Sequence, residues 1–263
     1  DKFIQPASRR NEVLGFLEKP LGDLCISRPK ERLPWGIPLP FDENYVTYVW
    51  FDALINYISV HGTLEKIESS GFWPVNHHLL GKDILTTHAV YWSTILKAIG
   101  LDPPLNLFAH GWWTINGQKM SKSVGNTVEP NILVDQFGVD AIRYFLLREV
   151  PFGLDGDFSH KALIGRINSD LANNLGNLLN RTMSMIKRYH DQIIPEPNSR
   201  DGDTELKNEF KVGIETVQSL YGDLAYHKIL ERIWLLVDTT NKYIDKNSPW
   251  NLIKSESGKE RLT

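Results

Sequence analysis

Two lysines stand three residues apart in Lys119-Met120-Ser121-Lys122-Ser123, with Gly117 just before the run and Gly125 just after it. By charge alone this is an ordinary solvated basic loop. Read as chemistry, it is a mobile loop whose ammonium groups can reach a polyphosphate. Negative charge develops on phosphate oxygens as pyrophosphate departs, and a lysine contact made mainly at that moment lowers the barrier. Glycines on both sides let such a loop close over a nucleotide.

Other residue groups are chemically suggestive. Gly81-Lys82-Asp83 follows a candidate strand. The glycine permits close backbone approach, and the carboxylate accepts hydrogen bonds from hydroxyl or amino groups. Trp50, Ala53, Leu54 and Tyr57 lie at the end of an apolar aromatic run and the start of the next helix, where they either pack a core or line an apolar slot. His88 lies five residues after Asp83, near it but off its helix face. Asn173, Asn177 and Arg181 fall at four-residue steps, which places them on one helix face. Trp250, in Ser248-Pro249-Trp250, follows a helix end and offers a flat stacking surface.

Two regimes of sequence must position these residues. Residues 1–158 mix short β-rich runs with helical stretches. Tyr45–Phe51, His77–Leu80 and Leu105–His110 are candidate strands, and Ile84–Ile99 has helical spacing with Gly100 as its stop. Strands alternating with helices predict a parallel α/β sheet, with ligands at the carboxyl ends of its strands. From 159 to 263 the period is helical. Ile164, Ile167, Leu171, Leu175, Leu178 and Met185 recur on one long helix, and Phe210, Ile214 and Val217, then Tyr226, Ile229, Leu230, Ile233, Trp234 and Val237, repeat the pattern. Asp191–Asp203 is the clear loop. The expected organisation is an α/β domain over 1–158 followed by an all-α helical bundle over 159–263.

Composition bounds the function. The chain of 263 residues is 41% hydrophobic and 23% charged, which suits one large or two small globular domains. No run approaches the ~18 apolar residues of a membrane span, so no membrane partner is expected. Cys25 is the only cysteine, which excludes an internal disulfide and a multi-cysteine zinc site. A reducing cytoplasm is the expected compartment. Net charge is −3, and residues 159–263 carry 15 basic and 14 acidic side chains. Nucleic acid would therefore be bound through a few local contacts rather than a strong overall field.

The lysine loop resembles, letter for letter, the second signature of class I aminoacyl-tRNA synthetases. Its surroundings, HGWWTINGQKMSKSVGN over 110–126, resemble the methionyl-tRNA synthetase family. So do RRNEVLGFL (9–17), ISRP and WGIP (26–38), YVWFDALINY (48–57), FWP (72–74), LLGKDI (79–84), HAVYW (88–92), DAIRYFLLREVPFGLDGDFS (140–159) and DLANNLGNLLNR (170–181), all in the family's order. The resemblance implies that residues 1–158 form the second half of a Rossmann-like nucleotide-binding domain and that 159–263 form an anticodon-binding bundle. It implies a ligase that makes methionyl-adenylate from L-methionine and ATP and then charges tRNA(Met), with Mg2+ travelling with ATP. Lys119 and Lys122 would stabilise the leaving pyrophosphate. Gly81, Asp83, His110, Gly111 and the backbone of Trp113 would meet the nucleotide, with Arg28 paired to Asp83. Trp50, Ala53, Leu54, Tyr57, Leu80, Ile84, His88 and Trp92 would wall the methionine pocket. Asn173, Asn177, Arg181 and Trp250 would read a CAU anticodon.

The family's earlier signature, His-x-Gly-His, does not occur in these residues, and His61-Gly62 lacks the second histidine. The family's zinc-bearing connective insertion is not matched either. The expectation is a fragment with a missing N-terminal catalytic half, inactive by itself. The alternatives are a non-catalytic tRNA-binding fragment and another class I enzyme of the leucyl or cysteinyl type. Trp50, Tyr57 and the Asn-Asn-Leu-Gly-Asn helix disfavour the last.

Overall fold

The computed structural model describes residues 2–121, 123–196 and 203–262. Its contacts divide the chain into two compact units, Asp1–Trp112 and Trp113–Thr263. The boundary expected near 158 falls inside the second unit, between a short strand and a helix capped by Ser159, whose Oγ accepts from the Ala162 N–H at 3.1 Å.

In the first unit β1 (Ile4–Gln5) leads into α1 (Ala7–Leu17), followed by β2 (Ser27–Pro29), β3 (Ile37–Leu39), β4 (Asp42–Thr47), α2 (Trp50–Ser59) and α3 (Leu64–Ser69). Then come β5 (His78–Gly81), a 3-10 turn at Lys82–Ile84, a π-helical turn at Thr87–Trp92, α4 (Ser93–Ala98) and β6 (Leu107–His110). Strands β1, β6 and β5 form a parallel sheet in that order, with Leu80 opposite Ala109 and Gly81 opposite His110. Strands β2, β4 and β3 form a separate antiparallel sheet.

The expected strand Tyr45–Phe51 is thus cut short. Pairing stops at Thr47, Val49 adopts φ 54°, and Trp50 already opens α2. A β-branched residue at positive φ is strained by about 1–3 kcal/mol, so packing must hold it. Val49 itself is exposed, and the helix it leads into is the packed part, burying Leu54 and Ile58 one turn apart against Ile67, Trp73, Trp92, Leu96 and Leu101. The stretch expected as one helix over 84–99 is three segments, because the 3-10 and π turns change its pitch. Leu80, Leu85, Ala89, Leu107 and Ala109 form a further core with Ile4 and Val13.

The second unit starts with β7 (Trp113–Ile115) and β8 (Gln118–Lys119). Asn116 (φ 51°) and Gly117 (φ 71°) turn the chain between them, the backbone of a two-residue hairpin loop. Helices α5 (Pro130–Phe137) and α6 (Val139–Glu149) follow, then β9 (Gly156–Asp157), which adds parallel to β7. Leu133, Ile142, Phe145, Phe158 and Leu163 form the core here, with Trp113 and Met120 packed on it. The long helix runs through α7 (His160–Arg166), a π-helical segment (Ile167–Gly176) and α8 (Asn177–Tyr189). Of the expected stripe, Ile167, Leu171, Leu178 and Met185 are half-buried. Leu163 is buried, whereas Ile164 and Leu175 are exposed. Helices α9 (Thr204–Gly222), α10 (Tyr226–Asn247), α11 (Pro249–Leu252) and α12 (Glu256–Leu262) complete the unit. Ile214, expected to face inward, is exposed; Gly213 is the buried residue, pressed against Leu236. Of the expected loop at 191–203, residues 197–202 lie outside the described ones. Among the described residues no helix is long and apolar enough to cross a membrane.

Candidate functional site

Gly81 and His110 are the last residues of neighbouring parallel strands and lie opposite each other, at the carboxyl edge where open α/β sheets hold ligands. Asp83 folds back over Gly81. A β-carbon on Gly81 would stand 2.6 Å from Asp83 Oδ1, so any other residue there would displace the carboxylate. The indole N–H of Trp112 donates to Asp83 Oδ1 at 3.2 Å, and the Lys82 ammonium lies 4.3 Å from the Trp112 ring centroid. His110 Nδ1 donates to Gly111 O at 2.8 Å. Arg28 does not sit on Asp83. Held in the β2–β4 sheet, it donates to Cys25 Sγ and Ser27 O and lies over the Tyr48 ring at 5.2 Å.

Trp50, Leu54, Tyr57, His88 and Trp92 converge beside this edge. Helix α2 brings Trp50 and Tyr57 to one side, and the π turn brings His88 and Trp92 to the other. Tyr57 and His88 rings are 5.7 Å apart, Tyr57 and Trp92 5.8 Å, and Trp50 and His88 6.4 Å. The histidine's protonation follows from its partners. His88 Nδ1 lies 2.9 Å from Ile84 O, which can only accept, so Nδ1 carries the proton. Nε2 is then the acceptor for the Tyr57 hydroxyl at 3.0 Å. Burial holds the His88 pKa below the usual imidazole value, and burial raises that of Tyr57. The pair is therefore a neutral imidazole and a neutral phenol. Leu54 is 1% exposed and Trp92 0%, while Trp50 and Tyr57 are exposed in part and Ala53 is exposed. Leu80 is buried and Ile84 half-buried, both in the core beneath the strand edge. The result is an aromatic cluster with Trp50 and Tyr57 at the surface and Leu54 and Trp92 buried beneath them. His78, which the sequence reading passed over, belongs to it: its ring centroid is 4.3 Å from that of Tyr57.

The second unit holds the lysine loop. Asp157 accepts from the Gly117 N–H at 2.8 Å and the Thr114 hydroxyl at 2.7 Å, and these bonds hold its carboxyl below the usual range. Asn126 clasps the loop base: its Oδ1 accepts from Ser121 N at 2.8 Å and its Nδ2 donates to Lys119 O at 3.2 Å. Met120 is anchored in the core while Lys119 is exposed. Lys122 lies outside the described residues. Trp113 commits its ring to the core, 5.8 Å from Phe145, and pairs with Gly156 of β9. Asn126 and Asp157 were not expected; the Asn116-Gly117 pair was the signal for the hairpin they brace.

In the bundle, Arg181 donates to Asp245 at 2.5 Å and to Asn241 at 3.4 Å, and its guanidinium lies 5.9 Å from the Trp250 ring centroid. Asn177 is exposed one turn before it, and Asn173 is exposed on the π segment. Asn174, not Asn173, ties this helix to α10, donating to Asp238 at 2.6 Å and accepting from Asn241 at 3.0 Å. Among the described residues no three His, Cys, Asp or Glu side chains converge as metal ligands would.

The chain is 50% identical over 263 residues to a methionine–tRNA ligase of Caldanaerobacter subterraneus subsp. tengcongensis and 49% identical over 266 residues to one of Clostridium tetani, in each case over 99% of this chain and 41% of the relative. It superposes on Mycobacterium tuberculosis methionyl-tRNA synthetase in complex with methionyl-adenylate with a TM-score of 0.90 and 45% identity, over 97% of this chain and 50% of that one. The chain thus spans half or less of the length of these relatives. Residues 2–183 match the family described as tRNA synthetases class I (M), and with them the chain belongs to that family.

Proposed function

We propose that this chain carries the amino-acid pocket, the phosphate-facing loop and the anticodon-reading face of a methionine–tRNA ligase. What carries the reading is the neutral His88, locked between Ile84 O and the Tyr57 hydroxyl within the wall of Trp50, Leu54 and Trp92. An apolar aromatic slot accepts an unbranched thioether, since sulfur–aromatic contacts are favourable and no charge is buried with it. A neutral imidazole and phenol add dipoles without penalising an uncharged side chain. Asp83, at the strand edge, would hold the amino acid's ammonium group or a ribose hydroxyl, and Gly81, His110, Gly111 and the Trp113 backbone would pass along the nucleotide.

In the reaction the methionine carboxylate attacks the α-phosphorus of ATP and pyrophosphate leaves, so the protein contributes positioning and charge stabilisation. Lys119 and Lys122 would stabilise the departing pyrophosphate, with Lys122 the leading candidate. Magnesium would arrive with ATP, held by phosphate oxygens and water. On the bundle, Trp250 offers a stacking face, and Asn173, Asn177 and Arg181 offer amide and guanidinium groups to the splayed bases of a CAU anticodon.

The test is ATP–pyrophosphate exchange by the full-length protein, with methionine and with leucine as the control. Methionine-dependent exchange that falls about 100- to 1,000-fold in kcat on Lys122→Ala is the expected result; exchange supported equally by leucine would refute the pocket assignment. Residues 1–263 alone should not activate methionine, because no His-x-Gly-His segment is among them. That piece should still bind a CAU anticodon stem-loop.

A further inference from the structure

We propose that His78 is a positioning residue of the amino-acid pocket, acting through Trp92 and Tyr57 to shape the slot for an unbranched side chain; this rests on the methionine reading above. His78 opens β5, two residues before Leu80, and is 7% exposed. Its backbone N–H donates to Asn106 O at 2.8 Å, which fixes the strand end that carries it. Its side chain shares the buried face with Leu80, while Leu79 between them is exposed.

Three contacts give the ring its role. The Trp92 indole N–H donates to His78 Nε2 at 3.3 Å. Trp92 is 0% exposed, and a buried indole N–H needs an acceptor. Since Nε2 accepts, the proton of a neutral His78 sits on Nδ1. The rings of His78 and Tyr57 lie 4.3 Å apart with planes tilted by 38°, and the rings of His78 and His88 lie 6.2 Å apart. His78 therefore fixes the plane of Trp92, which meets Trp73 edge-on at 81°, and supports the ring whose hydroxyl reaches His88. No step of the proposed chemistry passes through it. Its contribution is the width and rigidity of the slot, which separates a straight thioether from a branched aliphatic chain.

The experiment compares H78F, H78Q, W92F and the double variant H78F/W92F in the full-length protein, reading KM for methionine, KM for ATP and the methionine-to-leucine discrimination ratio. H78F removes the acceptor but keeps a ring. It should raise the methionine KM on the order of tenfold and lower discrimination by a similar factor, the scale of one buried neutral hydrogen bond, with the ATP KM unmoved. H78Q keeps an acceptor and should recover most of the loss. If His78 acts through Trp92, W92F should match H78F and the double variant should be no worse than either. Where H78F does not fold, W92F against H78Q makes the same comparison. A wild-type methionine KM and discrimination in H78F, an equal shift in both KM values, or fully additive losses would overturn the inference. Absence of methionine-dependent exchange in the unsubstituted protein would overturn the methionine reading and this inference together; intact exchange with an indifferent H78F would overturn this inference alone.

Discussion

The sharpest prediction concerns the Tyr57 hydroxyl. Tyr57→Phe removes one oxygen and leaves the ring, whose contacts with His78, His88 and Trp92 lie between 4.3 and 5.8 Å. What is lost is the 3.0 Å bond to His88 Nε2. A neutral hydrogen bond contributes about 0.5–1.5 kcal/mol net, and leaving a buried acceptor unsatisfied costs about 1–3 kcal/mol. His88 is 2% exposed, which favours the larger figure, but Tyr57 is 39% exposed, so water can reach the vacated position and the lower half of the range applies. About 1–1.5 kcal/mol corresponds to a five- to twelvefold rise in the methionine KM. His88 stays anchored through Nδ1 to Ile84 O at 2.9 Å, so kcat should change by less than about threefold. The assay is ATP–pyrophosphate exchange by the full-length protein over a methionine titration at saturating ATP, with a reciprocal ATP titration. An unchanged methionine KM, or a loss confined to kcat, would refute the view that this hydroxyl orders the pocket for binding.

Other consequences follow from the same geometry. Asn126→Ala frees both Ser121 N and Lys119 O from their clasp, and should lower kcat for exchange about tenfold while leaving the methionine KM within twofold, since loop positioning acts late; rapid proteolysis at the loop would accompany it. Gly81→Ala should displace Asp83, because the new carbon would meet Oδ1 at 2.6 Å, and should raise the KM for methionine or ATP by at least tenfold without lowering Tm by more than a few degrees. Burial, with the neighbouring His88 adding to it, lowers the His78 pKa from 6.5 to about 4. The unfolded chain binds that proton first, so stability falls as pH drops from about 6.5 toward 4, by at most about 3 kcal/mol, and is constant above that window; denaturant titrations across pH should show this slope, and H78Q should flatten it. Trp250→Ala should weaken binding of a CAU stem-loop by about 1–3 kcal/mol through lost stacking, measured by fluorescence anisotropy, with no effect on exchange.

Much of this site could be read from residue order because the chemistry is local. The lysine loop, the Gly81-Lys82-Asp83 turn and the start of α2 each lie within a short segment, and their types alone restrict what they can do. The two candidate strands over 77–80 and 105–110 and the expectation of a parallel sheet were legible; that β5 pairs with β6 came from the fold. What escaped was set by pitch and by distance along the chain. Periodicity assumes 3.6 residues per turn, and the π turns at 87–92 and 167–176 break that assumption. Within the second, Leu175 is exposed and the inter-helical contact falls to Asn174 rather than Asn173. On the first, His88 Nδ1 bonds Ile84 O while Nε2 faces Tyr57, 31 positions away.

The same reasoning explains why His78 and Asp157 carried no signal. His78 meets Tyr57 from 21 positions away and Trp92 from 14, across a strand, a helix and a π turn, and nothing in a His-Leu-Leu-Gly string distinguishes a buried acceptor from a solvated ring. Asp157 braces a hairpin 40 residues earlier. His78 supports Tyr57 and Trp92, which the proposed pocket needs, and Asp157 braces the hairpin that leads into the lysine loop. A residue that contacts substrate is constrained by the substrate's chemistry, which residue type reveals. A residue that holds another is constrained only by the geometry between them, and that appears once the chain is folded. Pocket variants chosen from sequence motifs alone would therefore sample the wall and miss what keeps it in place, and for the proposed methionine slot the missed part is the indole–imidazole bond between Trp92 and His78.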